Sequence, residues 1–182
     1  MDREVLGRLN SSGHRTALNV YLFIVLAHWA EHLAQPVQIY VYHWPVSEAG
    51  GVLGIYFPWL VTSEWMHYGD ALLMLAGLML LRLAFTGPAR TWWNLSLGIQ
   101  VWHHLEHLLL VQALTGAFLL GRPKQTSIIQ LVFPRVEPHV FYNALVFVPM
   151  VVAMLLHRRP AAPAHAVRCG CARPPVRVGQ PA

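Results

Sequence analysis

The chain has 182 residues, 55% of them hydrophobic and 12% charged, with 13 Lys+Arg against 8 Asp+Glu. Soluble domains average about 25% charged, so the composition excludes a water-soluble globule, and disordered, collagen-like and coiled-coil readings fail with it. Two cysteines exclude a disulfide-stapled scaffold, and nothing resembles a nucleic-acid module, which leaves a small polytopic membrane protein with 11 histidines.

The predicted fold is all-α: a four-transmembrane-helix bundle with a short re-entrant or interfacial segment before the second span. Residues 1–16 are read as a cytoplasmic arm and 17–157 as the membrane domain. Residues 158–182 are read as a basic, Pro-rich, disordered tail. The first span covers residues 17–42, with Pro36 as a kink near its far end. It is long and lacks a small-residue cleavage pattern, so it is expected to be retained. Residues 52–61 are apolar but too short to span, and they contain Gly54 and Pro58; they form the re-entrant or interfacial piece. The second span starts at the N-cap candidates Thr62 and Ser63 and runs to Phe85. The third runs from Thr91, again an N-cap candidate, to Leu119. The connection 121–138 contains an apolar run, 128–133, expected to lie on the outer surface. The fourth span covers residues 139–157 and stops at Arg158-Arg159-Pro160.

Lys and Arg set the orientation. Arg3, Arg8 and Arg15 precede the first span, Arg82 and Arg90 join the second to the third, and five arginines follow the fourth. Against these ten stand Arg122, Lys124 and Arg135. Both termini are therefore expected in the cytoplasm of a bacterial inner or plasma membrane. Trp44, Trp59 and Trp65 then belong to the outer interface and Trp92 and Trp93 to the inner one. The basic tail is expected to rest on anionic membrane lipids.

Ionisable residues at bilayer depth are costly and mark functional sites by default. The first span carries His28-Trp29-Ala30-Glu31-His32, the second Glu64-Trp65-Met66-His67 and then Asp70, and the third His103-His104-Leu105-Glu106-His107. The first and third share H-x-x-E-H, 75 residues apart, as an internal repeat would. Residues three and four apart share a helix face, so each cluster points one way. At ~1.5 Å rise per residue the first and third clusters lie roughly 17–24 Å above the cytoplasmic helix ends, and the second roughly 24–32 Å. All converge on the outer half of the membrane. Glu31, Glu64 and Glu106 have no Lys or Arg at that depth, and a buried carboxylate must be protonated, paired or bound to a cation. Neutral imidazole with carboxylate is a ligand set for Zn, Fe, Mn or Cu.

The expected ligands are His28, Glu31, His32, Glu64, His67, His103, Glu106 and His107, enough for two divalent ions with a bridging carboxylate. Asp70 and His104 are expected to orient ligands or relay protons. Tyr68, Gln35, Gln100 and Gln112 read either as hydrogen-bond partners of the ligands or as polar helix-packing groups. His43 and His139 read as interfacial, and His14, His157 and His165 as surface residues. Cys169 and Cys171 read as a reduced pair in a cytosolic tail.

The spacing of His28 with His32, and of His103 and His104 with His107, resembles the histidine boxes of membrane fatty-acid desaturases and alkane hydroxylases. Glu64-x-x-His67 is similar to the E-x-x-H element of carboxylate-bridged di-iron bundles. The desaturases carry a further H-x-x-H-H box that this chain lacks, and the di-iron bundles carry a second E-x-x-H pair. The resemblance implies a non-haem iron oxidoreductase acting on a lipid-soluble substrate with a separate electron donor. The alternatives are a b-type haem carrier with two axial histidines, a zinc-dependent membrane hydrolase using the H-x-x-E-H order, and a non-enzymatic metal transporter or sensor. Copper is a further candidate for the ion. The sequence leaves the oligomeric state open.

Overall fold

The computed structural model describes residues 3–61, 63–113, 127–133 and 136–159. Thr62, the end of the third predicted span, most of the connection that follows it and the tail from residue 160 lie outside the described residues. Helices α1 (Arg3–Leu9), α2 (His14–Pro36), α3 (Gly51–Tyr56), α4 (Pro58–Val61), α5 (Glu64–Leu81), α6 (Gly87–Ala113) and α7 (Val136–Arg158) follow in order, and the described residues contain no strand.

Three of the helices, with their short extensions, are long and apolar enough to cross a membrane: His14–Val41, Glu64–Ala84 and His139–Arg158. They mark the chain as a membrane protein. Helix α6 has 27 residues and is long enough to span at roughly 40 Å. Its Arg90, Asn94, Gln100, His103, His104, Glu106 and His107 lower its hydropathy. The four long helices touch in cyclic order, α2 on α5, α5 on α6, α6 on α7 and α7 on α2.

Local chemistry fixes the helix ends. Pro36 has no N–H to donate to the carbonyl of His32, and α2 opens there into a wider π-helical turn, Val37–Val41. His43 then takes a positive φ of 56° and turns the chain back. Residues 52–61, expected as one short segment, form the two small helices α3 and α4, divided before Pro58. Ser63 stands at the N-cap of α5, as expected, in an extended conformation. Thr91 does not cap α6. That helix starts four residues earlier, where Gly87 adopts φ 52° and Pro88 supplies a φ suited to a first turn.

The buried positions alternate in steps of three and four along each long helix. They run Leu18, Tyr21 and Val25 on α2, Ala71, Met74, Leu78 and Leu81 on α5, Ala89, Trp93, Ser96 and Gln100 on α6, and Val146, Met150 and Ala153 on α7. This is the seam spacing of packed parallel-axis helices. One end of the bundle is apolar, built on Leu18, Tyr21, Leu78, Phe85, Trp93 and Met150. Polar side chains there donate to carbonyls of neighbouring helices: Trp93 Nε1 to Leu78 O at 2.8 Å, Tyr21 Oη to Met74 O at 3.0 Å, Ser96 Oγ to Val146 O at 2.8 Å and Gln100 Nε2 to Ala71 O at 3.0 Å. Gln100 thus packs helices, as its residue type suggested. Asn10 fastens α1 to the end of α5, donating to Leu6 O and Leu80 O and accepting from the Ala84 N–H. Outside, Phe23, Met79, Leu95, Phe141 and Leu155 are exposed, so the periphery is as apolar as the core.

Two surface assignments are overturned. His14 and His157 are 0% and 2% exposed, with ring centroids 5.2 Å apart and Phe85 against both. The cause is register. His14 lies four residues before Leu18, and His157 lies four after Ala153, so each continues its helix's buried seam.

Candidate functional site

At the end opposite the apolar core the same seams carry histidine. Helix α2 presents His28 and His32, α5 His67, α6 His103 and His107, and α7 His139. The i,i+4 pairs of the two H-x-x-E-H segments have matching geometry. His28 and His32 lie 4.4 Å apart between ring centroids at 75°, and His103 and His107 lie 4.6 Å apart at 76°. His139 sits among the others, 5.7 Å from His32, 5.8 Å from His67, 6.4 Å from His103 and 5.4 Å from His107. His67 closes the group, 6.4 Å from His32 and 6.3 Å from His107.

His139 is the residue that sequence reasoning missed. Its place at the start of the fourth span marked it as interfacial. The signal was its spacing: it stands four residues before Asn143 and seven before Val146, both buried, and so on the seam of α7. His103 is backed by the Tyr142 ring at 4.8 Å, and Tyr142 Oη accepts from Trp102 Nε1 at 2.7 Å.

The carboxylates are placed differently. In each H-x-x-E-H segment the glutamate reaches a short helix in the following connection. Glu31 Oε2 accepts from the Leu53 N–H at 2.9 Å, in the first turn of α3. Glu106 Oε2 accepts from the Ile129 N–H at 3.3 Å, at the start of the 3-10 turn Ile129–Leu131. A carboxylate is favoured at a helix N-terminus, where N–H groups lack partners. Gly51, with φ 77°, lies directly against the Glu31 carboxylate, and its backbone is held on both sides by the Gln38 amide at 2.8 and 3.0 Å. Glu64 is buried in the first turn of α5. His28 Nδ1 lies 3.4 Å from Asp70 Oδ2. His104 turns out of the histidine group onto Tyr68, 5.1 Å away.

Among the described residues, no three His, Cys, Asp or Glu side chains are gathered closely enough to enclose a metal ion. Two nitrogens on one ion, each about 2.0–2.1 Å from it, stand about 3 Å apart. His103 Nε2 and His107 Nε2 meet this at 3.2 Å, whereas the other rings are spaced more widely. Among the described residues, Nδ1 of His103 and His107 and Oε1 of Glu106 are buried and find no hydrogen-bond partner. Buried polar atoms are rarely left so.

Among the described residues, two sizeable cavities reach the group, beside a void of about 10 Å³ against His103, Glu106 and His107. One, of about 530 Å³, opens under the 46–61 connection and ends on His32, His67 and His139. The other, of about 390 Å³, opens between α2 and α5 beside His28 and Asp70. Comparison of the chain with protein-family models, curated proteins and solved structures gives no match.

Proposed function

We propose that the chain is an integral membrane metalloprotein with four spans, both termini in the cytoplasm and the histidine group in the outer half of the bilayer. In this reading α6 is the remaining span and α3 with α4 a re-entrant or interfacial piece. The group holds two divalent ions, with iron as the leading candidate, and the protein acts as an oxidoreductase on a lipid-soluble substrate. The observation that carries this reading is the convergence of six imidazoles from four helices, where, among the described residues, Nδ1 of His103 and His107 find no partner. A bundle without a bound cation gains nothing from burying such atoms.

His103 and His107 need the least movement to share an ion. Glu31 and Glu106 each commit one oxygen to a helix end, and Glu106 Oε1, which finds no partner among the described residues, would be the oxygen left to hold a cation. Asp70 orients His28, and His104 with Tyr68 supports the group from outside. Bound iron would supply one-electron chemistry that these side chains lack. Orientation is supported by Arg15, Arg82, Arg90 and Arg158, which stand at the ends of α2, α5, α6 and α7 opposite the histidine group, and by exposed Trp59 and Trp65 at the histidine end.

The test is metal analysis of the purified protein with an optical spectrum. About two iron atoms per chain without a Soret band is expected. Metal-free protein overturns the reading, and a Soret band transfers it to haem b.

A further inference from the structure

The 390 Å³ cavity shares His32 and His67 with the other but differs in where it opens and in its walls. Helix α2 packs on α5 far less extensively than α6 does, and the gap is walled by Phe23, Ile24, Ala27, Leu53, Leu60 and Met66. Phe23 is 73% exposed, so the mouth faces whatever surrounds the bundle. In a membrane that is lipid. The same cavity is also lined by His28, Glu31, His32, His67 and Asp70.

These groups select a head. Both carboxylates are hydrogen-bond acceptors, and the Asp70 carboxylate, 3.4 Å from His28 Nδ1, keeps an accessible oxygen edge. A hydroxyl donates to such a site and crosses an apolar wall without carrying charge. A fatty-acid carboxylate meets Glu31 and Asp70 with like charge, and an ammonium head must be desolvated along the whole wall.

We propose that the cleft between α2 and α5 is a lateral port from the bilayer, and that it receives the hydroxyl end of an uncharged lipid-soluble alcohol or phenol at the His28–Asp70 pair. This names the substrate class for the metal centre proposed above and rests on that reading. The larger cavity under the 46–61 connection is then left for water and small polar species.

The test uses the full chain in phosphatidylcholine nanodiscs and three photoreactive probes with a mid-chain diazirine: hexadecanol, hexadecanoic acid and hexadecylamine. Labelled peptides are mapped by mass spectrometry, and iron is measured on the same preparation. The alcohol is expected to label Phe23, Leu53 and Met66 about tenfold more than Leu105 and Phe141 on the far side, the ratio given by one hydrogen bond to a charged acceptor. Unlabelled hexadecanol should compete, and the acid and amine should label both sides evenly. Ala27→Trp should fill the cleft and bring its labelling down to the far-side level; Met66→Trp serves if that variant does not fold. Even labelling by the alcohol, or equal cleft labelling by the acid or the amine, overturns the port. Iron present with even labelling rejects the port alone, whereas cleft-specific labelling without iron rejects the metal centre and keeps the port.

Discussion

His139 touches four of the other five imidazoles, so its replacement should be felt by the whole group. His139→Ala and His107→Ala are expected to lower bound metal at least tenfold, measured by mass spectrometry after gel filtration. His104→Ala, which removes a ring lying on Tyr68 and outside the histidine group, is expected to stay within about threefold, well short of the roughly 10–100-fold that loss of a partner bonded to a ligand costs. An equal loss from His104→Ala would put His104 inside the site. At this scale the sequence was legible where spacing decides. His28, His32, His103 and His107 share faces because 3.6 residues make a turn. Glu31 and Glu106 share those faces too, and spacing alone could not show that one oxygen of each is taken by the first turn of another helix. That partner exists only once the connection has folded back.

Connections and helix ends form the next scale. The segment 42–61 is held over the site by Gln38 on both sides of Gly51 and by Glu31 on Leu53. Gly51 has φ 77° and no room for a Cβ beside the Glu31 carboxylate. Gly51→Ala should therefore cost about 1–2 kcal/mol for the backbone conformation alone. The loss should appear first as faster amide exchange in residues 46–56, with the exchange of α5 and α7 unchanged. Uniformly faster exchange would mean that the connection and the bundle open together. Pro36 was readable as a boundary because it acts through its own backbone, and Ser63 takes the N-cap position of α5 although its side chain makes no cap hydrogen bond. Thr91 was misread because Gly87-Pro88 offers an earlier start, and a threonine one turn in is tolerated where tertiary packing holds the helix.

For the molecule as a whole, lipid inverts the usual signal. Exposed Phe23, Met79, Leu95, Phe141 and Leu155 make the outside as apolar as the inside. Hydrophobic periodicity therefore cannot say which face packs, and the polar residues mark the seam instead. That is why His14 and His157 looked like surface groups: ends of spans are wet by default, and only their register with Leu18 and Ala153 shows otherwise. Orientation is a property of this scale as well. Periplasmic reporter fusions between Trp44 and Gly51 should be active, and fusions at either terminus inactive. The reverse pattern would move the histidine group to the cytoplasmic half.

The central claim is that a cation joins the histidine seams of all four helices, and thermal melting with and without chelator tests it directly. Without an ion the bundle buries carboxylates beside its imidazoles, at a cost of a few kcal/mol for each carboxylate that stays ionised at bilayer depth. Chelator should lower the melting temperature of the wild-type protein. Glu106→Gln keeps an oxygen for the Ile129 N–H but binds a cation poorly; it should melt lower than wild type and respond less to chelator. A wild-type protein indifferent to chelator, together with a Glu106→Gln variant that melts higher, would contradict the metal centre and the oxidoreductase built on it.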